Sequence, residues 1–141
     1  MTSVEVYRTR GWNVIPLQPN SKIPRLEWLD YQTKRYTGSF RETDNVAIVL
    51  GTVSNNLVVL DFDFLDYETI KKLLPHAWDE TMLVRTKRGI HAYFQSVGAP
   101  PRTCKLEYNG KHIDMKSEGG YVVAPPSVVD GFEYVWLNEC D

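Results

Sequence analysis

The chain predicts an α+β fold, and three observations carry that reading. Many short runs rich in Val, Ile, Tyr and Phe stand at strand length between glycine, proline and asparagine. Only two stretches, 3–10 and 66–74, have helical spacing with end signals. No internal repeat, low-complexity tract or linker interrupts residues 1–141, which read as a single domain. The sum is one or two short helices with a mostly antiparallel sheet.

In order, residues 3–10 place Val4 and Tyr7 at helical spacing, with Gly11 as the stop. Residues 12–17 read as a short strand closed by Pro16 and Pro19. Residues 19–24 are a loop by their turn residues, with Lys22 at its tip. Trp28 and Tyr31 fold the next segment back onto the body, and 37–44 is a further loop. Residues 45–51 form a strand ended by glycine, and Asn55-Asn56 signal a tight hairpin into residues 57–63. Asp66 is placed to cap the second helix and Pro75 to stop it. Residues 81–86 and 90–94 are strands around the turn Lys87-Arg88-Gly89, with His91 and Tyr93 on one face and Ile90, Ala92 and Phe94 on the other. After a proline-containing loop at 98–103, residues 111–116 and 121–124 are strands, and 131–136 closes the chain as an alternating edge strand.

Composition excludes several classes. With 141 residues, 43% hydrophobic and 24% charged, the chain is that of a globular protein with a real core. A formal net charge of −2 rules out wholesale polyanion binding, so any nucleic-acid contact must come from a local basic patch. No apolar run approaches the roughly 20 residues that span a bilayer, so no membrane association is expected. Cys104 and Cys140 are far apart without C-x-x-C spacing, which points to a reducing, cytoplasmic setting and against zinc.

The chemistry centres on Leu57-Val58-Val59-Leu60-Asp61-Phe62-Asp63. A buried strand that ends in Asp-x-Asp points both carboxylates to one side, with Cα atoms roughly 6.5–7 Å apart. They can lean onto one cation or bridge two, or else only start a turn and cap the following helix. His91 comes from a second strand beside Lys87 and Arg88, and Asp114 and Lys116 from a third. Singly, these are a hydrogen-bonded histidine, a solvated turn and a same-face ion pair. Together they are what phosphoryl transfer requires: carboxylates for Mg²⁺ or Mn²⁺, and cations with a histidine for a triphosphate.

Further runs lie in a fixed order around these: Gly11-Trp12, Val14-Ile15-Pro16-Leu17, Ser21-Lys22-Ile23-Pro24 with Trp28, and residues 45–51 and 85–94. Ile113-Asp114 and Gly119-Gly120-Tyr121-Val122-Val123-Ala124-Pro125-Pro126-Ser127 follow. In this order, over nearly the whole chain, the sequence resembles the bifunctional DNA primase/polymerase (prim-pol) domain of the archaeo-eukaryotic primase superfamily. The resemblance implies a primase catalytic core, an RRM-like sheet beside a small N-terminal α/β portion. It places Asp61 and Asp63 on the first metal-binding motif, Asp114 on the third, and His91 on the histidine that meets the incoming nucleotide's phosphates. Lys87 and Arg88 lie near that histidine, and Lys22 falls on the N-terminal Lys-x-Pro loop. One departure is local: Gly89 stands where a small hydroxyl residue usually precedes the histidine by two.

The resemblance implies template-directed nucleotidyl transfer in DNA replication, with single-stranded or primed DNA and nucleoside triphosphates as partners. A separate helicase or replication-initiation protein would supply unwinding, in an archaeal, bacterial, plasmid or viral setting. The chain reads as a minimal stand-alone protein or an excised domain. Two other readings stay open. One is a primase-fold replication-initiation or single-strand-binding module without turnover. The other is a metal-dependent nuclease built on Asp114-Met115-Lys116.

Overall fold

The computed structural model describes residues 1–64, 66–74 and 81–138. Pro75 and Cys140 lie outside the described residues. Two antiparallel sheets pack together, and one strand, β3 (Leu57–Phe62), feeds hydrophobic residues to both of its faces. This is an α+β architecture, as the sequence predicts.

Helix α1 (Ser3–Thr9) begins with a capping box: Thr2 accepts from the Glu5 amide at 3.2 Å, and the Glu5 carboxylate accepts from the Thr2 amide at 3.1 Å. Strand β1 (Asn13–Leu17) pairs with β2 (Asn45–Val49), which pairs with β8 (Tyr121–Ala124). Pro16 does not close β1. It sits inside it opposite Val46, tolerated because β1 is an edge strand and the missing N–H costs no ladder bond there. The Pro-Pro-Ser run after β8 is structural: the Ser127 hydroxyl accepts from the Val46 amide at 2.8 Å and donates to the Val46 carbonyl at 3.1 Å.

The second sheet has the order β11-β4-β5-β3-β7-β6. Its strands are β4 (Leu83–Arg85), β5 (Ile90–Gln95), β6 (Cys104–Tyr108), β7 (Lys111–Lys116) and β11 (Val135–Asn138) around β3. Val59, Val84 and Tyr93 face the core shared with the three-stranded sheet. Phe62, Ile90, Ala92 and Ile113 face the opposite way, under α2 (Tyr67–Leu73) and its Ile70. Fully burying a side chain such as Phe62 contributes about 1.5–3 kcal/mol. Asp66 caps α2, accepting from the Thr69 amide at 3.2 Å.

Three expectations need correction. Asn55 and Asn56 both take positive φ, 57° and 63°, as a tight turn demands. That turn closes a single antiparallel bridge, Gly51 to Leu57, and no longer hairpin, because β2 and β3 belong to different sheets. β6 is a strand over residues 104–108, for which no element is predicted. The closing segment is also not one strand. β9 (Val128–Val129) and β10 (Phe132–Glu133) make a small hairpin, and β11 follows after Tyr134. Among the described residues no helix is long and apolar enough to cross a membrane.

Candidate functional site

Register on β3 builds the site. Asp61 is the direct cross-strand neighbour of His91 on β5 and of Asp114 on β7. Directly opposed residues of antiparallel strands share a face, with Cβ atoms about 4.5–5.5 Å apart. Three chain segments thus contribute one row, Asp114–Asp61–His91. The next residues inward on this face, Val59 and Tyr93, lie in the core between the sheets. The row sits where the face leaves that core and enters a crevice.

Asp61 is the hub. His91 Nε2 stands 3.4 Å from one of its oxygens, and Lys116 Nζ stands 3.5 Å from the other. Burial pushes the Asp61 carboxyl up, but the contact with His91 and then the charge of Lys116 outweigh it, so the group titrates below the ordinary aspartate range. Asp61 is therefore a carboxylate at neutral pH although its side chain is only 20% exposed. His91 is buried, and its Nδ1 has no hydrogen-bond partner among the described residues.

Asp63 follows the last residue of β3 and is held at its end by its backbone amide, which donates to the His112 carbonyl at 3.2 Å. Its carboxylate is 3.9 Å from the Arg88 guanidinium. Arg88 and Lys87 project from the turn between β4 and β5. The Gly89 amide donates to the Thr86 hydroxyl at 3.0 Å, and the Thr86 amide donates to the Gly89 carbonyl at 3.0 Å. Gly89 has no room for a side chain: a Cβ there would stand 1.8 Å from the Phe62 carbonyl oxygen. The departure noted in the sequence is therefore a packing requirement, because this turn lies directly on the end of β3.

One cleft of about 270 Å³ is lined by Asp61, Asp63, Asp114, His91, Lys87 and Arg88, with Lys22 reaching in from its distant loop. Lys116 lines an adjoining cleft of about 330 Å³. The two share Lys22, Asp61, His91 and Tyr134 and form one groove. All eight residues singled out in the sequence therefore border it. The Lys22 backbone is fixed there because the Tyr121 hydroxyl donates to its carbonyl at 2.8 Å.

Sequence reasoning missed Tyr134, Thr86 and Asp130. Tyr134 borders both arms, with its ring 6.2 Å from that of His91. Burial, then the charges of Asp61 and Asp130, raise its hydroxyl above the usual phenol range. It belongs to no strand, and no spacing marks it. Asp130 is a hairpin residue with φ 51°, 3.9 Å from Lys87.

Three carboxylates from two strands form an all-oxygen donor set, the kind that suits Mg²⁺ or Mn²⁺ rather than zinc. Among the described residues no three acidic, histidine or cysteine side chains are already drawn to metal-holding distance. The Asp61 and Asp63 oxygens point instead at Lys116, His91 and Arg88. In chemistry and in placement on one open face, the set fits a hard cation. These side chains would turn from their cationic partners to hold it.

A carboxylate row flanked by lysines and an arginine in an open groove is a site suited to a phosphate-bearing ligand. The chain belongs to the family described as bifunctional DNA primase/polymerase, N-terminal, whose profile matches residues 4–141. That family implies a nucleotidyltransferase-type protein whose substrates are DNA and nucleotides. A search of curated proteins finds no match to the chain.

Proposed function

We propose that this groove performs template-directed nucleotidyl transfer, as a DNA primase or DNA polymerase. The observation that carries the reading is the register of Asp61 with both His91 and Asp114, which sets two carboxylates and an imidazole in one row along the groove. In the reaction a 3′-hydroxyl oxygen bonds to the α-phosphorus of a nucleoside triphosphate. The bond to pyrophosphate breaks, and the hydroxyl proton is lost to solvent.

Lys87, Arg88, Lys22 and Lys116 grip phosphate oxygens as charge-assisted donors, with His91 at the β5 end of the row. The pairs they now make are loose, at 3.5–3.9 Å for Lys116, Arg88 and Lys87. Exchanging the two exposed pairs, those of Arg88 and Lys87, for a triphosphate costs little, since pairs of this kind contribute about 0–1 kcal/mol. Asp61, Asp63 and Asp114 would hold Mg²⁺ or Mn²⁺, which when bound lowers the pKa of the attacking hydroxyl and neutralises charge on the leaving pyrophosphate. Asp61 is suited to this because its contacts keep it ionised. Template contact is electrostatic and weakens with salt.

The test is nucleotide incorporation on a primed DNA template with Mg²⁺ or Mn²⁺, repeated on unprimed single-stranded DNA to detect de novo priming. Intact protein should extend the primer, and the Asp61→Ala/Asp63→Ala variant should not. Equal extension by both proteins overturns the carboxylate assignment. Primer shortening in place of growth indicates a nuclease. Nucleotide binding without incorporation under several metals indicates a module that binds but does not turn over.

A further inference from the structure

The groove is chemically lopsided. Its charged arm carries Thr86, Lys87 and Arg88 together with Asp63, Asp114 and Asp130, while its other arm is walled by Trp28, Tyr121 and Val123. Trp28 and Tyr121 meet edge to face, with centroids 4.9 Å apart and planes at 77°, so they form an open right-angled corner. Both rings rest on the hydrophobic core yet remain partly exposed. The corner is held from both sides. The Trp28 carbonyl accepts from the Tyr31 amide at 2.8 Å, and the Tyr121 hydroxyl is tied to the Lys22 carbonyl.

We propose that this aromatic corner seats the base of the incoming nucleoside triphosphate, with its triphosphate directed toward Lys87 and Arg88. The inference rests on the nucleotidyl-transfer reading of the groove. A nucleoside triphosphate is apolar and planar at one end and highly charged at the other, which matches the two arms in one orientation only. A base stacked on one ring of the corner presents its edge to the other, the favoured geometry for both contacts. Asp61 and His91, common to both arms, then lie midway between base and terminal phosphates, where the α-phosphate belongs. Beyond the Lys22, Asp61, His91 and Tyr134 that both arms share, the side-chain polar groups on this arm are Thr103 and Lys116, too few to read a base edge. The corner therefore recognises that a base is present and leaves its identity to pairing with the template.

Calorimetric titration with the four nucleoside triphosphates and with inorganic tripolyphosphate tests this. On the intact chain, each nucleoside triphosphate should bind about tenfold more tightly than tripolyphosphate, and the four should agree within about threefold. Trp28→Leu should remove that advantage and leave tripolyphosphate affinity unchanged, whereas Trp28→Phe, which keeps a ring, should retain most of it. Arg88→Ala should weaken both ligand types alike. Equal affinity of nucleotide and tripolyphosphate for the intact chain overturns the corner and leaves the phosphate site standing. So does an advantage that survives Trp28→Leu. If neither ligand binds the intact chain, the nucleotidyl-transfer reading itself fails. Loss of folding in Trp28→Leu moves the decision to Trp28→Phe and to the comparison on intact protein, each of which can refute the proposal alone.

Discussion

Replacing Gly89 by serine adds a side chain where the 86–89 turn rests on the end of β3, and the structure says it will damage this protein. The added Cβ would stand 1.8 Å from the Phe62 carbonyl oxygen, 2.7 Å from that of Phe64 and 2.9 Å from the Phe62 carbonyl carbon. All three are backbone atoms at the end of β3, so no rotamer change relieves the clash. The 86–89 turn must lift from β3 by on the order of 1 Å, carrying Lys87 and Arg88 away from Asp61 and Asp63. Overpacking of this kind costs about 1–3 kcal/mol, and a rigid backbone neighbour places it at the upper end. For a domain of this size that is a fall in Tm of about 6–12 °C, read by calorimetry or circular dichroism. Tripolyphosphate affinity should fall as well, because the two cations leave their places. A Gly89→Ser protein with unchanged Tm and unchanged affinity would refute the close seating of this turn on β3.

Other outcomes follow from the same geometry. The folded-state pKa of Asp61 is depressed, so its contribution, on the order of 1 kcal/mol, is present above the unfolded pKa near 4 and is lost as pH falls through the folded value. The stability gap between the intact chain and Asp61→Asn, measured by urea unfolding, should shrink as pH falls below about 4. A gap no smaller at about pH 3 than at about pH 5 contradicts the assignment. Arg88, 79% exposed and 3.9 Å from its partner, should be nearly neutral for stability when changed to alanine, under about 0.5 kcal/mol, while triphosphate affinity drops about five- to tenfold. Ser127→Ala leaves the buried Val46 amide without its partner and should cost about 1–3 kcal/mol in unfolding experiments, with primer extension per folded molecule unchanged.

The strand run at Leu57 and the alternation at Ile90 were legible because each strand's two faces meet different environments. Leu57, Val59 and Tyr93 enter one core, and Phe62, Ile90 and Ala92 the other. Asp61, Asp63, His91 and Asp114 could be picked out because polar groups interrupt those apolar patterns. What local patterns do not carry is pairing. Nothing near Asn55-Asn56 says that the chain leaves one sheet for another, and β6 exists only because β7 offers it a partner. Tyr134 escaped for the same reason, since its place is set by the strands on either side of it. Trp28 was read as a residue that folds its segment back, which it does. Its second face became visible only once Tyr121, from a remote strand, stood beside it.

The position of the carboxylate row explains how it keeps its charge. One pleat inward, at Val59 and Tyr93, the face lies in a core where an aspartate would take up a proton to avoid desolvation. One pleat outward, at Asp63, the side chain is already 38% exposed and its charge is diluted by water. Asp61 lies between, buried enough for its field to be strong and touched by His91 and Lys116, which keep it ionised. The groups that neutralise it are also the groups fitted to hold phosphate. A polyanion entering the groove therefore draws cations toward itself and leaves the row more negative. In this way the same side chains hold the site together when it is empty and turn to a substrate when it enters.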